Sequence, residues 1–176
     1  MATNRRILLS EIPTGKLTEE HFTQDEVALT PPGEGEVLVR TLILSQDAAN
    51  RAWMQGATYR SALSSGQVMS SGGIAEVVES NHERFKIGQI VSGDLGWQEY
   101  AVLPGHLLAE VKDHAGPLSH NLSLLGVARL TAYHGLLNVP GIHAGEVLLV
   151  SAAGGSVGSI VGQIGRIKGA KVIGIA

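Results

Sequence analysis

The chain has 176 residues, 44% of them hydrophobic, with 13 basic and 16 acidic residues and a formal net charge of −3. That content supports a real core in one large domain, or one domain plus part of another, and the lack of a basic excess argues against a nucleic-acid partner. There are no cysteines, which removes disulfides, thiol catalysis and cysteine-ligated zinc together.

The opening stretch Met1-Ala2-Thr3-Asn4-Arg5-Arg6 has no apolar segment behind it, so no signal peptide is expected and a cytoplasmic location follows as the default. Residues 6–9 read as a short strand. Pro31-Pro32-Gly33-Glu34-Gly35 is a turn released into a strong β run over residues 36–44. Residues 45–66 are polar, rich in Ala and Asn, and carry Trp53, Met54 and Tyr59. Further strands are expected from Gly72, after Gly88 and from Gly96. Short strands at this spacing predict a small, partly open barrel over residues 1–117.

The character changes near Pro117. Leu122, Leu125, Val127, Leu130, Tyr133, Leu136 and Leu137 recur at helical spacing, which predicts a helix over 118–139 stopped by Pro140-Gly141. An aliphatic run over 147–153, a cluster of glycines, a helical stretch to Lys168-Gly169 and a second apolar run over 171–176 together read as one βαβ unit with parallel strands. The fold class is thus mixed β and α/β, with a helix and a first βαβ unit over residues 118–176. Val147–Gly165 carries no charge and has Gly154, Gly158 and Gly162 at the spacing of a membrane helix pair. Nine of its 19 residues are Gly, Ser or Gln, however, so no membrane span is expected.

Chemistry concentrates in Ala153-Gly154-Gly155-Ser156-Val157-Gly158, an A-x-G-x-x-G fingerprint between strand and helix. A chain that binds a dinucleotide here must leave a strand, turn sharply, approach a pyrophosphate and start a helix packed closely on the sheet. Gly155 suits the close approach and Gly158 the close packing. The first N–H groups of the helix would face the phosphates, and Ser156 adds a hydroxyl. Glycines also mark ordinary turns, so spacing alone leaves a purely structural turn open.

Other schemes fit less well. None of Tyr59, Tyr100 and Tyr133 is followed four residues on by Lys, which excludes the short-chain reductase motif, and no Lys follows Gly158 as a P-loop requires. Gly154-Gly155-Ser156-Val157-Gly158 matches the Gly-x-Ser-x-Gly nucleophile elbow by letter and by context. No Asp or His follows Ser156, so a complete triad in the hydrolase order is excluded. The seven histidines show no zinc-protease spacing, and no metal site is expected.

Longer segments carry a family resemblance: Pro32-Gly33-Glu34-Gly35-Glu36, Leu44-Ser45-Gln46-Asp47, Gly96-Trp97-Gln98-Glu99-Tyr100, Leu130-Thr131-Ala132-Tyr133-His134-Gly135 and the whole of 145–159. With these the chain resembles the medium-chain dehydrogenase/reductases, in the zinc-free branch of prostaglandin, alkenal and curcumin reductases and quinone oxidoreductases. The resemblance implies a GroES-like domain joined to a Rossmann domain, with NADPH as cofactor and no zinc. It implies hydride transfer to the β-carbon of an α,β-unsaturated aldehyde or ketone, or to a quinone, with hydrogen bonds stabilising the developing oxyanion.

The same resemblance implies a small-molecule substrate and a homodimer for the full-length enzyme. It places Thr131 beside the cofactor and Tyr133 on the helix between the domains, where a packed helix face is the alternative role for that ring. Many members read Asp-Pro-Tyr-Met-Arg where this chain has Asp47-Ala48-Ala49-Asn50-Arg51, which leaves Asn50 as a replacement donor and Tyr59 as a pocket residue. Arg129 stands where the family usually has Gly. A doubly wound domain has six strands and only two are present, so the chain is expected to be truncated and inactive alone. The alternative is a non-catalytic barrel module whose βαβ tail is an interaction or dimerisation remnant.

Overall fold

The computed structural model describes residues 2–112 and 116–176. The chain divides into two compact units, 1–114 and 115–176.

The first unit is built from antiparallel strands. β1 (Thr3–Leu9) pairs along its whole length with β2 (Phe22–Ala28), from Thr3 opposite Ala28 to Leu9 opposite Phe22. β3 (Glu36–Leu44), β4 (Gly72–Ser80), β5 (Ile90–Asp94), β6 (Tyr100–Pro104) and β7 (Ala109–Glu110) form a five-stranded sheet in the order β6-β3-β4-β5-β7. Backbone bonds stitch β1 to the segments before β4 and β6: Ile7 N–H donates to Trp97 O (2.8 Å) and Met69 N–H to Ile7 O (2.9 Å). The sheets stay open and do not close into a barrel.

Burial follows from the strand pattern. Val37, Leu38 and Val39 are all buried, which strict alternation forbids, because a register shift falls between Leu38 and Val39. Val37 and Val39 share a core with Ala75, Val77, Phe85, Val91 and Leu95. A second core gathers Leu9, Trp53, Met54, Leu63 and Met69 around α1 (Ala48–Gln55). This helix lies in the stretch that reads from sequence only as polar. Its start is fixed by reciprocal bonds: Asp47 Oδ1 accepts from Ala49 N–H (2.8 Å), while Asn50 Oδ1 accepts from Asp47 N–H (2.8 Å).

In the second unit the single helix expected over 118–139 is broken into three. A 3₁₀ segment covers Leu118–Leu122, α2 covers Val127–Tyr133, and a π-helical turn covers His134–Asn138. Gly126 interrupts the run, and a β-carbon there would meet the Asn121 and Leu122 carbonyls. β8 (Val147–Ser151), α3 (Ser156–Ile167) and β9 (Lys171–Ile175) form the βαβ unit, with the two strands parallel and in register from Val147–Lys171 to Ser151–Ile175. Among the described residues no helix is long and apolar enough to cross a membrane.

Candidate functional site

The turn between β8 and α3 is shaped by backbone contacts. Ala152 takes a left-handed conformation with φ of 48°, and its carbonyl accepts from Gly155 N–H at 2.9 Å. A β-carbon on Gly158 would drive into the same carbonyl and stand 3.0 Å from the Ala153 α-carbon. Gly158 therefore packs the helix onto its own turn.

Contact with the strands is made further along the helix. A β-carbon on Gly165 would stand 2.5 Å from Leu148, and one on Gly162 would touch Val172 at an ordinary 3.6 Å. Gly158, Gly162 and Gly165 thus give α3 a smooth face, which lets its axis approach the sheet. This refines the sequence expectation, which gave Gly158 the strand contact.

Ala153, in the first glycine's place, is accommodated by its neighbour. A β-carbon on Gly174 of β9 would lie 2.7 Å from the Ala153 methyl, and Ala153 N–H donates to Ile175 O at 2.9 Å. The room needed at this position is supplied by a glycine on the adjacent strand. Sequence reading missed Gly174, although its place inside an apolar strand run was the available signal.

Gly155 is the N-cap of α3 and, having no side chain, offers no capping oxygen. The amides of Ser156, Val157 and Gly158 therefore lie in the first turn, where an α-helix supplies no carbonyl partners. An open groove of about 440 Å³ adjoins them, lined by Leu149, Ser151, Ala152, Gly155, Ser156 and Val161 among others. First-turn amides, the positive end of the helix dipole and the small residues Ala152, Gly155 and Ser156 along the groove suit an anionic pyrophosphate. Gly154 has φ in the ordinary range and only the Ala176 methyl nearby, at 4.0 Å, so no steric demand on it arises from the chain itself.

The other residues singled out from sequence fall on both units. Thr131 is exposed on α2 and Tyr133 is half exposed, with its ring edge-on to His134 at 6.1 Å. The buried residue of α2 is Ala132. Asn50 is buried, and its Nδ2 donates to Ser70 O at 2.8 Å. Tyr59 is largely solvent-facing and meets Trp53 edge-on at 6.2 Å. Among the described residues no cluster of three or more His, Asp or Glu is placed to hold a metal ion.

Residues 5–111 match the family described as the N-terminal domain of oxidoreductase. The chain belongs to the medium-chain dehydrogenase/reductases, in the branch of curcumin, prostaglandin and alkenal reductases.

It is 42% identical over 174 residues to the NADPH-dependent curcumin reductase of Escherichia coli, covering 98% of this chain and 50% of that protein. Bovine prostaglandin reductase 1 is 41% identical over 166 residues, covering 92% of this chain and 48% of the relative. The crystal structure of CurA from Vibrio vulnificus in complex with NADPH superposes with a TM-score of 0.89 at 37% identity, over 98% of this chain and 51% of that one. The chain spans about half the length of the curated relatives it matches.

Proposed function

We propose that this chain forms the N-terminal domain and the first cofactor-binding unit of an NADPH-dependent reductase of activated C=C bonds or quinones. The observation that carries the reading is the start of α3: a helix with no side-chain cap, held on a left-handed turn by Gly158 and opening on a groove. Relatives named as NADPH-dependent curcumin reductase and as 2-alkenal reductase support NADPH and a conjugated carbonyl substrate.

In this reading the amides of Ser156, Val157 and Gly158, with the Ser156 hydroxyl, hold the pyrophosphate, while Ala153, Gly154 and Gly155 form its floor. Thr131 borders the cofactor. NADPH, when bound, supplies a hydride to the β-carbon of an enal or enone, or to a quinone. Tyr59 and Tyr133 each carry a phenol accessible enough to donate to the oxygen on which negative charge develops, the interaction from which such a site gains most. Asn50, whose amide bonds Asp47 and Ser70, holds the start of α1 in shape. We further assign residues 1–117 as the GroES-like catalytic domain, and infer a cytoplasmic enzyme that works as a homodimer when whole.

Two parallel strands, β8 and β9, make up the cofactor sheet of the described residues. Parallel strands are normally buried among neighbours on both sides. Leu149, Ile173 and Ile175 are instead 61%, 44% and 57% exposed. The 176-residue chain alone should therefore bind NADPH weakly and turn over little. The test follows NADPH oxidation at 340 nm with trans-2-nonenal and with a quinone. Oxidation by a longer form that restores the sheet, and little by this chain, supports the reading. No NADPH binding by either form supports the non-catalytic module instead.

A further inference from the structure

Between α1 and the strand at Gly72 the chain runs out and back as a loop over residues 56–66, which carries Tyr59. Among its attachments, three lie close to Tyr59. Leu63 N–H donates to Trp53 O at 2.9 Å, returning the loop to the helix it left. The Arg60 guanidinium lies over the Trp53 ring, 4.4 Å from its centroid. The same guanidinium pairs with Asp94 at the end of β5. Trp53 is buried at 6% exposure within the second core, so Arg60 rests on an indole packed among Leu9, Met54, Leu63 and Met69.

Tyr59, one residue earlier, sets its ring edge against the same indole at 87°. Thr58 N–H donates to Arg60 O at 2.9 Å, so the backbone on both sides of Tyr59 is tied to the Arg60 residue. An exposed tyrosine on a loop would otherwise sample many positions, and fixing it in advance lowers the ordering cost of binding.

We propose that Arg60, clamped between the Trp53 indole and the Asp94 carboxylate, is a positioning residue that fixes Tyr59 for substrate and thereby sets substrate affinity. This rests on the reading of Tyr59 as a substrate-pocket residue. The planar guanidinium suits the role: it stacks on a ring and pairs with a carboxylate at once, which a lysine ammonium does less well. Because the ring and ion-pair partners of Arg60 are Trp53 and Asp94, both in the first unit, its loss should act on substrate binding and leave NADPH binding unchanged.

The test uses the whole chain and reads two things. The first is amide hydrogen exchange over residues 56–63 in the wild type, Arg60→Gln, Asp94→Asn and Asp94→Glu. Loss of the stacking contact should speed exchange there by about two- to thirtyfold and loss of the ion pair by up to about fivefold, with the β8–α3–β9 segment unchanged and Asp94→Glu close to wild type. The second is binding of 4-phenyl-3-buten-2-one, a simple enone, and of NADPH, with Tyr59→Phe and Tyr59→Ala alongside. Arg60→Gln should weaken the enone and not NADPH. Unchanged exchange in Arg60→Gln and Asp94→Asn overturns the clamp. Faster exchange with unchanged enone binding also overturns the proposal, and Tyr59→Ala then separates the causes. If it weakens the enone, the clamp is irrelevant to Tyr59; if it does not, the pocket role of Tyr59 fails.

Discussion

Gly158 packs directly beneath the carbonyl of Ala152, leaving no space for a β-carbon on the helix side of the turn. The seating of α3 on its turn depends on that approach. It seats the helix on the left-handed residue before it and brings the first-turn amides to the edge of the groove.

Replacing a mid-helix glycine with alanine ordinarily stabilises by about 1 kcal/mol. At Gly158 the sign should reverse, because the new methyl meets backbone atoms that cannot swing aside. Gly158→Ala should cost about 1–3 kcal/mol, whereas Gly162→Ala, with Val172 at an ordinary contact distance of 3.6 Å, should keep the normal gain. Thermal melts of the two variants against wild type check the contrast.

Ala152 holds a positive φ that an L-residue adopts at a cost. Ala152→Gly should therefore stabilise the chain by about 1 kcal/mol rather than destabilise it. A rise in the denaturation midpoint with an unchanged m-value is the expected result.

The first unit offers a local test at the start of α1. Asp47→Ala removes the oxygen that accepts from Ala49 N–H, and should cost about 0.5–2 kcal/mol. Asn50→Ala should cost at least as much, since it removes the bonds to both Asp47 N–H and the part-buried Ser70 carbonyl. Urea titration of each variant measures this.

Surface carboxylates give a weak acid dependence. Hydrogen bonds from Arg5 hold Glu99 below the usual carboxylate range, and those from Arg6 do the same for Asp25. A carboxylate depressed on folding adds stability above its unfolded pKa, and that stability is lost as pH falls through the folded value. The unfolding midpoint should thus fall as pH drops below about 4. Glu99→Gln and Asp25→Asn should flatten that acid limb while barely altering stability at neutral pH, as expected of exposed pairs.

Much of this architecture was legible from residue order. The βαβ unit read correctly because strand, glycine cluster, helix and strand each carry a distinct local signal, and β3 and β4 because β-branched residues run between turn residues. What stayed hidden depends on partners distant in sequence. β2 has few buried residues and is defined by its pairing with β1, 13 to 25 positions away along the register. α1 hides in a polar stretch because its buried apolar residues are only Trp53 and Met54. The helix expected over 118–139 has continuous apolar spacing, yet Gly126 lies too close to the Asn121 and Leu122 carbonyls for the run to stay regular. Within the site, the A-x-G-x-x-G letters marked the turn, but the space that Gly174 makes for Ala153 arises only when β9 is laid beside β8.

In the proposed function the first-turn amides of α3 receive the cofactor's phosphates. The most direct measurement is a titration of the ¹⁵N-labelled chain with NADPH, followed amide by amide, because it registers binding even when affinity is low. The account predicts that the Ser156, Val157 and Gly158 resonances move most and that Gly158→Ala abolishes the movement. Saturating NADPH that leaves those three amides in place would contradict it.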